Sequence, residues 1–306
     1  MISRRAIRIR VFQFLFSYFK QNGSTSPQYL VKQCLQSLDK SYYFYLLILS
    51  LLDEFRINEI NDIENQKNKF IKTNTTITPV FTSHPFLIAL SNSKEFYNAL
   101  NQFKVNFKDK DWTVSVYKAF KKTDIYQNYI QNFNPSDKEK AFHFLEELLL
   151  EYLYNNEILE HFFEEESQFA QDDLYLAING AHKTLEEFNK HNSFTLLPKF
   201  KDEISDKKFI EELINYTIQN YSNFDSYIAQ NSENWDIERI NFADLLLLKM
   251  SMTELIYFPE IPLKTSVDEY IEISKEYSTP QSYVFINGIL APIIKYLTEK
   301  GMIKKS

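Results

Sequence analysis

An all-α fold is predicted for this 306-residue sequence by three observations. Only 4 glycines and 9 prolines are present, too few for the special turns that hairpins and phosphate-cradling loops require. Apolar residues recur at spacings of three and four along most of the chain. No stretch alternates with a period of two, so nothing reads as a half-buried strand.

Each helix is justified by its own start and stop signals. Ile7, Val11, Phe14, Leu15 and Tyr18 fall on one helical face behind Ser3 as N-cap, and the helix stops near Asn22-Gly23. Ser26-Pro27 is a second start signal, leading a short helix through Leu30, Val31, Cys34, Leu35 and Leu38. A long, densely apolar helix is expected from Asp39 through Tyr42 and Phe55 to Ile63, fading into polar residues toward Lys69. Thr73 to Pro85 breaks the pattern.

Helical spacing resumes at Phe86 to Phe103, Trp112 to Phe133, Ser136 (as N-cap) through Phe163, and Gln168 to Asn189. Pro198 marks the next break. Beyond it, helices are expected at Lys207 to Asn220, Phe224 to Asn231, Ile237 to Tyr257, Ser266 to Glu276 and Ser282 to Glu299. No solenoid-like repeat is visible, although helices in this number also suit a helical array.

Composition narrows the function classes. Aromatics reach 16%, with Asn, Ile and Lys also abundant, a pattern that a low-GC genome produces; the rings are read as core filler. The single cysteine, Cys34, has no partner for an intramolecular disulfide, which fits a reducing compartment. Arg4-Arg5 ahead of the apolar stretch Val11 to Phe19 resembles the opening of an export signal. However, Gln13 and Ser17 interrupt it, and no alanine occurs between Ala6 and Ala89 to form a cleavage site. No segment holds about 18 uncharged apolar residues, the minimum for spanning a bilayer. A cytoplasmic protein is expected.

Catalytic and metal motifs are missing from the sequence. A di-iron bundle needs Glu three residues before His, and the residues three before His143, His161 and His182 are Lys140, Ile158 and Asn179. Glu139/His143 and Glu157/His161 lie four apart, as solvated surface neighbours commonly do. The acidic run Glu164-Glu165-Glu166 with Asp172-Asp173 lacks the spacing of a calcium loop and reads as a solvated face. There is no glycine-rich phosphate loop and no nucleophile elbow. No catalytic residue, metal ligand or cofactor is assigned.

Charge is unevenly distributed. The formal net charge is -7, yet residues 1 to 38 contain Arg4, Arg5, Arg8, Arg10, Lys20 and Lys32 and no acid. Arginines in a first helical turn face the positive end of the helix dipole, so another interaction should favour them. Arg4 and Arg8, one turn apart with Arg5 flanking, present planar guanidinium groups suited to phosphates and base edges; a solubilising cluster is the alternative.

The C-terminal part of the chain carries, in order, Trp235-Asp236-Ile-Glu-Arg239-Ile, Asp244 to Leu255 ending in Glu254-Leu255, Pro262, Val267-Asp268-Glu269 through Glu272 and Lys275 to Ser278, and Phe285-Ile-Asn287-Gly288-Ile-Leu290. Together these resemble the NusB family of transcription antitermination proteins. The N-terminus is also similar, with Arg4-Arg5-x-x-Arg8 followed by Gln13-x-Leu15-Phe16-Ser17, where Phe16 replaces the family's tyrosine. Asp268 stands where the family usually has Asn.

The resemblance implies two small helical bundles, here with a large helical insertion. The expected division is 1–60 for the N-terminal helices, 61–200 for an insertion in which nothing is recognised, and 201–306 for the C-terminal bundle. It further implies a non-enzymatic factor that binds single-stranded boxA RNA of ribosomal RNA leaders together with NusE, a small-subunit ribosomal protein, within the RNA polymerase antitermination complex. Arg4, Arg5 and Arg8 would contact RNA, with Phe16 and Phe285 near its path, and Asp244 and Glu254 would face the basic partner.

Gly288 and Asn287 fit helix packing as well as function, because glycine in a helix costs about 1 kcal/mol unless close approach requires it. Two other readings stand beside this one. The same domain resembles a module of ribosomal RNA cytosine methyltransferases, although no cofactor loop is present here. A protein-only scaffold working through the insertion is the third.

Overall fold

The computed structural model describes residues 1–68, 77–107, 111–231 and 240–305, with Asn231 described by its backbone alone. The fold is all-α: among the described residues no strand forms, and one isolated bridge joins Ile2 and Phe200. The helices are α1 (Arg4–Lys20), α2 (Pro27–Lys67), α3 (Pro85–Ser91), α4 (Lys94–Phe103), α5 (Asp111–Phe120), α6 (Asp124–Gln131), α7 (Lys138–Glu147), α8 (Glu157–Glu166), α9 (Ala170–His191), α10 (Glu203–Asn220), α11 (Asn223–Asn231), α12 (Phe242–Tyr257), α13 (Leu263–Tyr277) and α14 (Ser282–Glu299), with a π-helical turn at Leu148–Leu153.

Local chemistry explains most helix ends. Ser3 Oγ accepts from Ala6 N–H at 3.2 Å at the start of α1, and the chain leaves α1 through Asn22 and Gly23, both at positive φ. Thr123 Oγ1 and Asp137 cap α6 and α7. Thr123 therefore splits what reads as one helix from Trp112 to Phe133, and Asp137 takes the capping role expected of Ser136. The helix expected to run on to Phe163 passes through the π turn and restarts at Asn156, which caps α8. The start of α12 is at Phe242; Ile237 and the Trp235-to-Arg239 part of the family motif lie outside the described residues.

Asp39 does not begin a new helix. It sits inside the 41-residue α2, where no glycine or proline interrupts the backbone, and its carboxylate pairs with Lys199 at 2.5 Å. The chain separates into two compact units. One comprises Met1 and Asp39–Lys199, the other Ile2–Leu38 and Phe200–Ser306. The division thus falls at 38/39 instead of the expected 60/61, because Phe44 to Phe55 of α2 are buried in the first unit's core.

That core is strongly aromatic. Phe55, Phe81, Tyr117, Phe120, Tyr126 and Phe144 contact one another at centroid distances of 5.5–6.4 Å. Buried His84 is fully bonded in it: Nε2 meets the Ala141 carbonyl at 2.9 Å and Nδ1 accepts from Phe86 N–H at 3.2 Å. Burial pushes its imidazole down to about 4. In the second unit α12 is central, packing on α1, α10, α13 and α14. It is apolar around most of its circumference, as a helix surrounded by others must be.

Two helical glycines have opposite surroundings. A Cβ at Gly180 would lie 2.9 Å from Tyr45 Cδ2 and 3.0 Å from Met1 Cγ, whereas one at Gly288 would meet nothing within 4 Å. Close helix approach therefore does not explain Gly288. It lies one turn before Pro292, which has no N–H to offer the Gly288 carbonyl, and both residues are exposed.

This packing sets two kinds of expectation, one for the glycines and one for pH. Gly180→Ala should destabilise the protein by about 1–3 kcal/mol through overpacking, and Gly288→Ala should stabilise it by about 0.5–1 kcal/mol, both read from denaturant midpoints. The second concerns pH. An unfolded-state His84 titrating near 6.5 and a folded-state value near 4 mean that the unfolded chain binds the proton first. Stability is complete above pH 6.5 and falls by about 3 kcal/mol as pH drops to 4. His84→Gln should flatten that part of the stability-versus-pH curve; an unchanged slope would show that His84 does not titrate on unfolding.

Candidate functional site

The arginine-rich helix α1 lies in the second unit, packed on α10 and α12 and bonded to α13 through Arg5. Its arginines do not share one environment. Arg8 is 2% exposed, and its Nε and Nη2 donate to the two carboxylate oxygens of Glu254 on α12 at 2.8 and 2.7 Å. Glu254, fully buried, also accepts from Ser266 Oγ at 2.8 Å and the Tyr270 hydroxyl at 3.2 Å, both on α13. Every strong acceptor direction of the carboxylate is used. Burial opposes the charge on Arg8, but the Glu254 pair outweighs it and the guanidinium pKa is raised.

This geometry corrects two expectations. Arg8 has no free edge for RNA, and Glu254 has no free charge for a basic partner; each is the other's counter-ion. Asp244 is corrected as well. In the first turn of α12, where the helix dipole favours an acid, it is 5% exposed and its Oδ2 accepts from Ser282 Oγ at 2.9 Å.

Arg4 and Arg5 differ. Arg4 pairs with Asp206 on α10 at 2.5 Å, donates to Ser205 Oγ at 2.7 Å, and lies 4.4 Å over the Phe209 ring; its side chain stays 34% exposed. Arg5 donates to both oxygens of Glu269 on α13 at 2.8 and 3.1 Å and stays 47% exposed. The hydrogen bond it donates to Glu269 leads the causes that raise its pKa, and Glu272 and Glu276 add to them. Together the two residues leave a guanidinium edge at the start of α1, partly exposed at Arg4 and more fully at Arg5. Their acid anchors, Asp206 and Glu269, carry no signal of this role in the sequence beyond being acids on amphipathic helices.

Arg10, the fourth arginine of α1, is buried and donates to Ser37 Oγ on α2. Phe16 is half-buried, with ring centroids 5.0 Å from Phe242 and 5.9 Å from Phe12, and Lys20 reaches over Phe242 at 4.4 Å. Phe285 is half-buried on α14, one turn from exposed Asn287 and Gly288. Asp268 is exposed on α13. The structure thus gathers Arg4 and Arg5 at one edge, leaves Phe16 and Phe285 partly accessible, and withdraws Arg8, Asp244 and Glu254 into the interior.

The other side chains weighed for chemistry are engaged elsewhere. His143 and His182 both bond to Glu146 at 2.9 Å, and His161 faces Glu164 and Glu165 on the surface. Asp173 is buried, accepting from Ser41 and Ser167 at 2.6 Å, so the acidic segment is not uniformly a solvated face. Among the described residues no group of three or more His, Cys, Asp or Glu is placed to hold a metal ion, and no helix is long and apolar enough to cross a membrane.

Comparison with known proteins adds to this geometry. The profile of the NusB family matches residues 138–295. The match begins inside the segment 61–200, where the sequence alone shows no resemblance. A protein described as transcription antitermination protein NusB from Salinibacter ruber is 42% identical over 102 residues, 33% of this chain and 64% of that protein. One of the same description from Chloroherpeton thalassium is 38% identical over 104 residues, 34% of this chain and 49% of that protein. Another, from Geobacter sp. (strain M21), is 32% identical over 136 residues, 44% of this chain and 94% of that protein. No solved structure matches.

Arg8→Ala should destabilise the second unit by about 3–5 kcal/mol, because it strands a buried carboxylate. Arg5→Ala, at an exposed pair, should cost no more than about 1 kcal/mol. Urea denaturation of both variants checks the contrast; equal losses would show that the Arg8 pair is not the buried tie.

Proposed function

Because this chain belongs to the NusB family, we propose that it acts in transcription antitermination in the cytoplasm, binding single-stranded boxA RNA of ribosomal RNA leader transcripts together with NusE. The observation that carries the reading is the exposed guanidinium edge of Arg4 and Arg5, held in place by acids on two different helices. Planar forks fixed in this way suit phosphate oxygens and base edges, and single-stranded RNA leaves its bases open to them. Phe16 and Phe285, each partly accessible, supply ring area near such a path. No turnover is required: the protein would hold RNA and NusE for the elongating RNA polymerase complex.

The partner contact is assigned differently. Asp244 and Glu254 are too deeply buried to meet a basic protein directly; Glu254 ties α12 to α13, and Asp244 ties it to the start of α14. NusE would instead meet surface residues on the same bundle.

Fluorescence anisotropy with boxA RNA and a scrambled control, with and without NusE, tests the proposal. Tighter boxA binding in the presence of NusE is expected, and no binding at low salt under either condition would defeat it. With Arg8 withdrawn, two arginines remain for phosphate contact, so the slope of log affinity against log salt should be about -1.4. The double change Arg4→Ala with Arg5→Ala should bring that slope toward zero while circular dichroism stays unchanged.

A further inference from the structure

We infer that Tyr257 and Tyr216, on the α12 and α10 surface of the second unit, form a stacking platform for an unpaired RNA base, continuing the track that starts at Arg4. The inference rests on the RNA-binding reading above and adds residues to it. Tyr216 and Tyr257 stack with centroids 4.4 Å apart and planes 17° from parallel, and Tyr257 remains 37% exposed. A stacked pair left at the surface keeps apolar ring area in water, a cost that a further stacked ring removes. With one face covered by Tyr216, Tyr257 has area left for a second partner.

The pair is held in advance. Asn220 Nδ2 donates to the Tyr216 carbonyl at 2.9 Å, and the Tyr257 hydroxyl donates to Asn220 Oδ1 at 3.2 Å. Asn220 thereby braces the Tyr257 ring through its hydroxyl, so less side-chain freedom remains to be lost there when a base arrives. The rings are joined to Arg4 through aromatic contacts: Arg4 lies 4.4 Å over Phe209, Phe209 is 5.1 Å from Phe258, and Phe258 is 6.4 Å from Tyr216. Phe209 and Phe258 are buried, which leaves the charged end and the tyrosine end as the accessible points on this surface.

The chemistry around the platform favours a base over a protein side chain. From Leu213 to Phe224 the sequence contains no acid and no base, but it contains Asn215, Gln219, Asn220 and Asn223. Asn215 and Asn220 are partly exposed, and Gln219 is exposed. Side-chain amides offer a donor and an acceptor together, the pattern that base edges present. A stacked ring pair flanked by side-chain amides, with Glu212 one turn before Tyr216 disfavouring phosphate there, therefore divides the work, with phosphate at Arg4 and a base at Tyr257. Base-on-aromatic stacking of this kind is tolerant of sequence and independent of salt in the way ionic contacts are not.

The test uses the full chain with NusE and boxA RNA in anisotropy. Tyr257→Ala should weaken RNA binding roughly tenfold while leaving the salt slope unchanged, and Tyr257→Phe, which keeps the ring and loses the Asn220 bond, should stay within about twofold of the unchanged protein. Circular dichroism and thermal melting of the two variants exclude unfolding as the cause. Binding by Tyr257→Ala within twofold of the unchanged protein would overturn the platform and leave the RNA reading standing. So would a loss of NusE affinity with RNA affinity intact, which would make this surface a protein contact. If the unchanged protein binds no RNA, both readings fall.

Discussion

The second unit depends on one buried ion pair. Arg8 on α1 and Glu254 on α12 lose nearly all their hydration on folding, a loss that a bidentate contact offsets only when every other lone pair is also used. Ser266 and Tyr270 of α13 meet that condition, and burial together with the Glu254 charge holds the Tyr270 hydroxyl far above its ordinary pKa. A pair of this kind contributes little net stability compared with an apolar replacement. What it does is specify geometry, because three helices must come together at one register for four polar groups to be satisfied. Lys305 adds a cation near the same carboxylate, hydrogen-bonded to Ser266 Oγ at 2.9 Å, and burial lowers its pKa to about 8.

From that tie the accessible edge follows. With α1 fixed by Arg8, its first turn carries Arg4 toward α10 and Arg5 toward α13, where Asp206 and Glu269 meet them. The same acids limit the affinity of the edge, since an incoming phosphate shares each guanidinium with a carboxylate already in contact. A small, partly neutralised basic edge on a chain of net charge -7 supplies weak electrostatic attraction by itself.

The first unit is organised on other terms. Its core is a continuous set of stacked and edge-packed rings with few polar groups inside, and those that are inside are bonded: His84 to Ala141 and Phe86, Tyr45 to Thr184 and Leu197, Glu59 to the backbone of Val80 and Thr82. Burial raises the Glu59 pKa even so. The family match reaching back to Lys138 ties α7 to α9 of this unit to the rest of the family, so the unit is not wholly foreign to it.

The sequence by itself determined the all-α class, most helix positions and the N-cap at Ser3, because apolar spacing and capping are local properties. It also carried the family resemblance, through the Glu254-Leu255 helix and the Phe285-x-Asn287-Gly288 motif. It further indicated that arginines in a first helical turn need an opposing charge. Tertiary structure alone decided where that charge comes from. Asp206, Glu254 and Glu269 stand more than 200 positions from their arginine partners in sequence, and only folding distinguishes the buried Arg8 from the partly exposed Arg4 and the exposed Arg5. The open space around Gly288 is of the same kind, since it depends on what lies beside a helix and not on the residues within it.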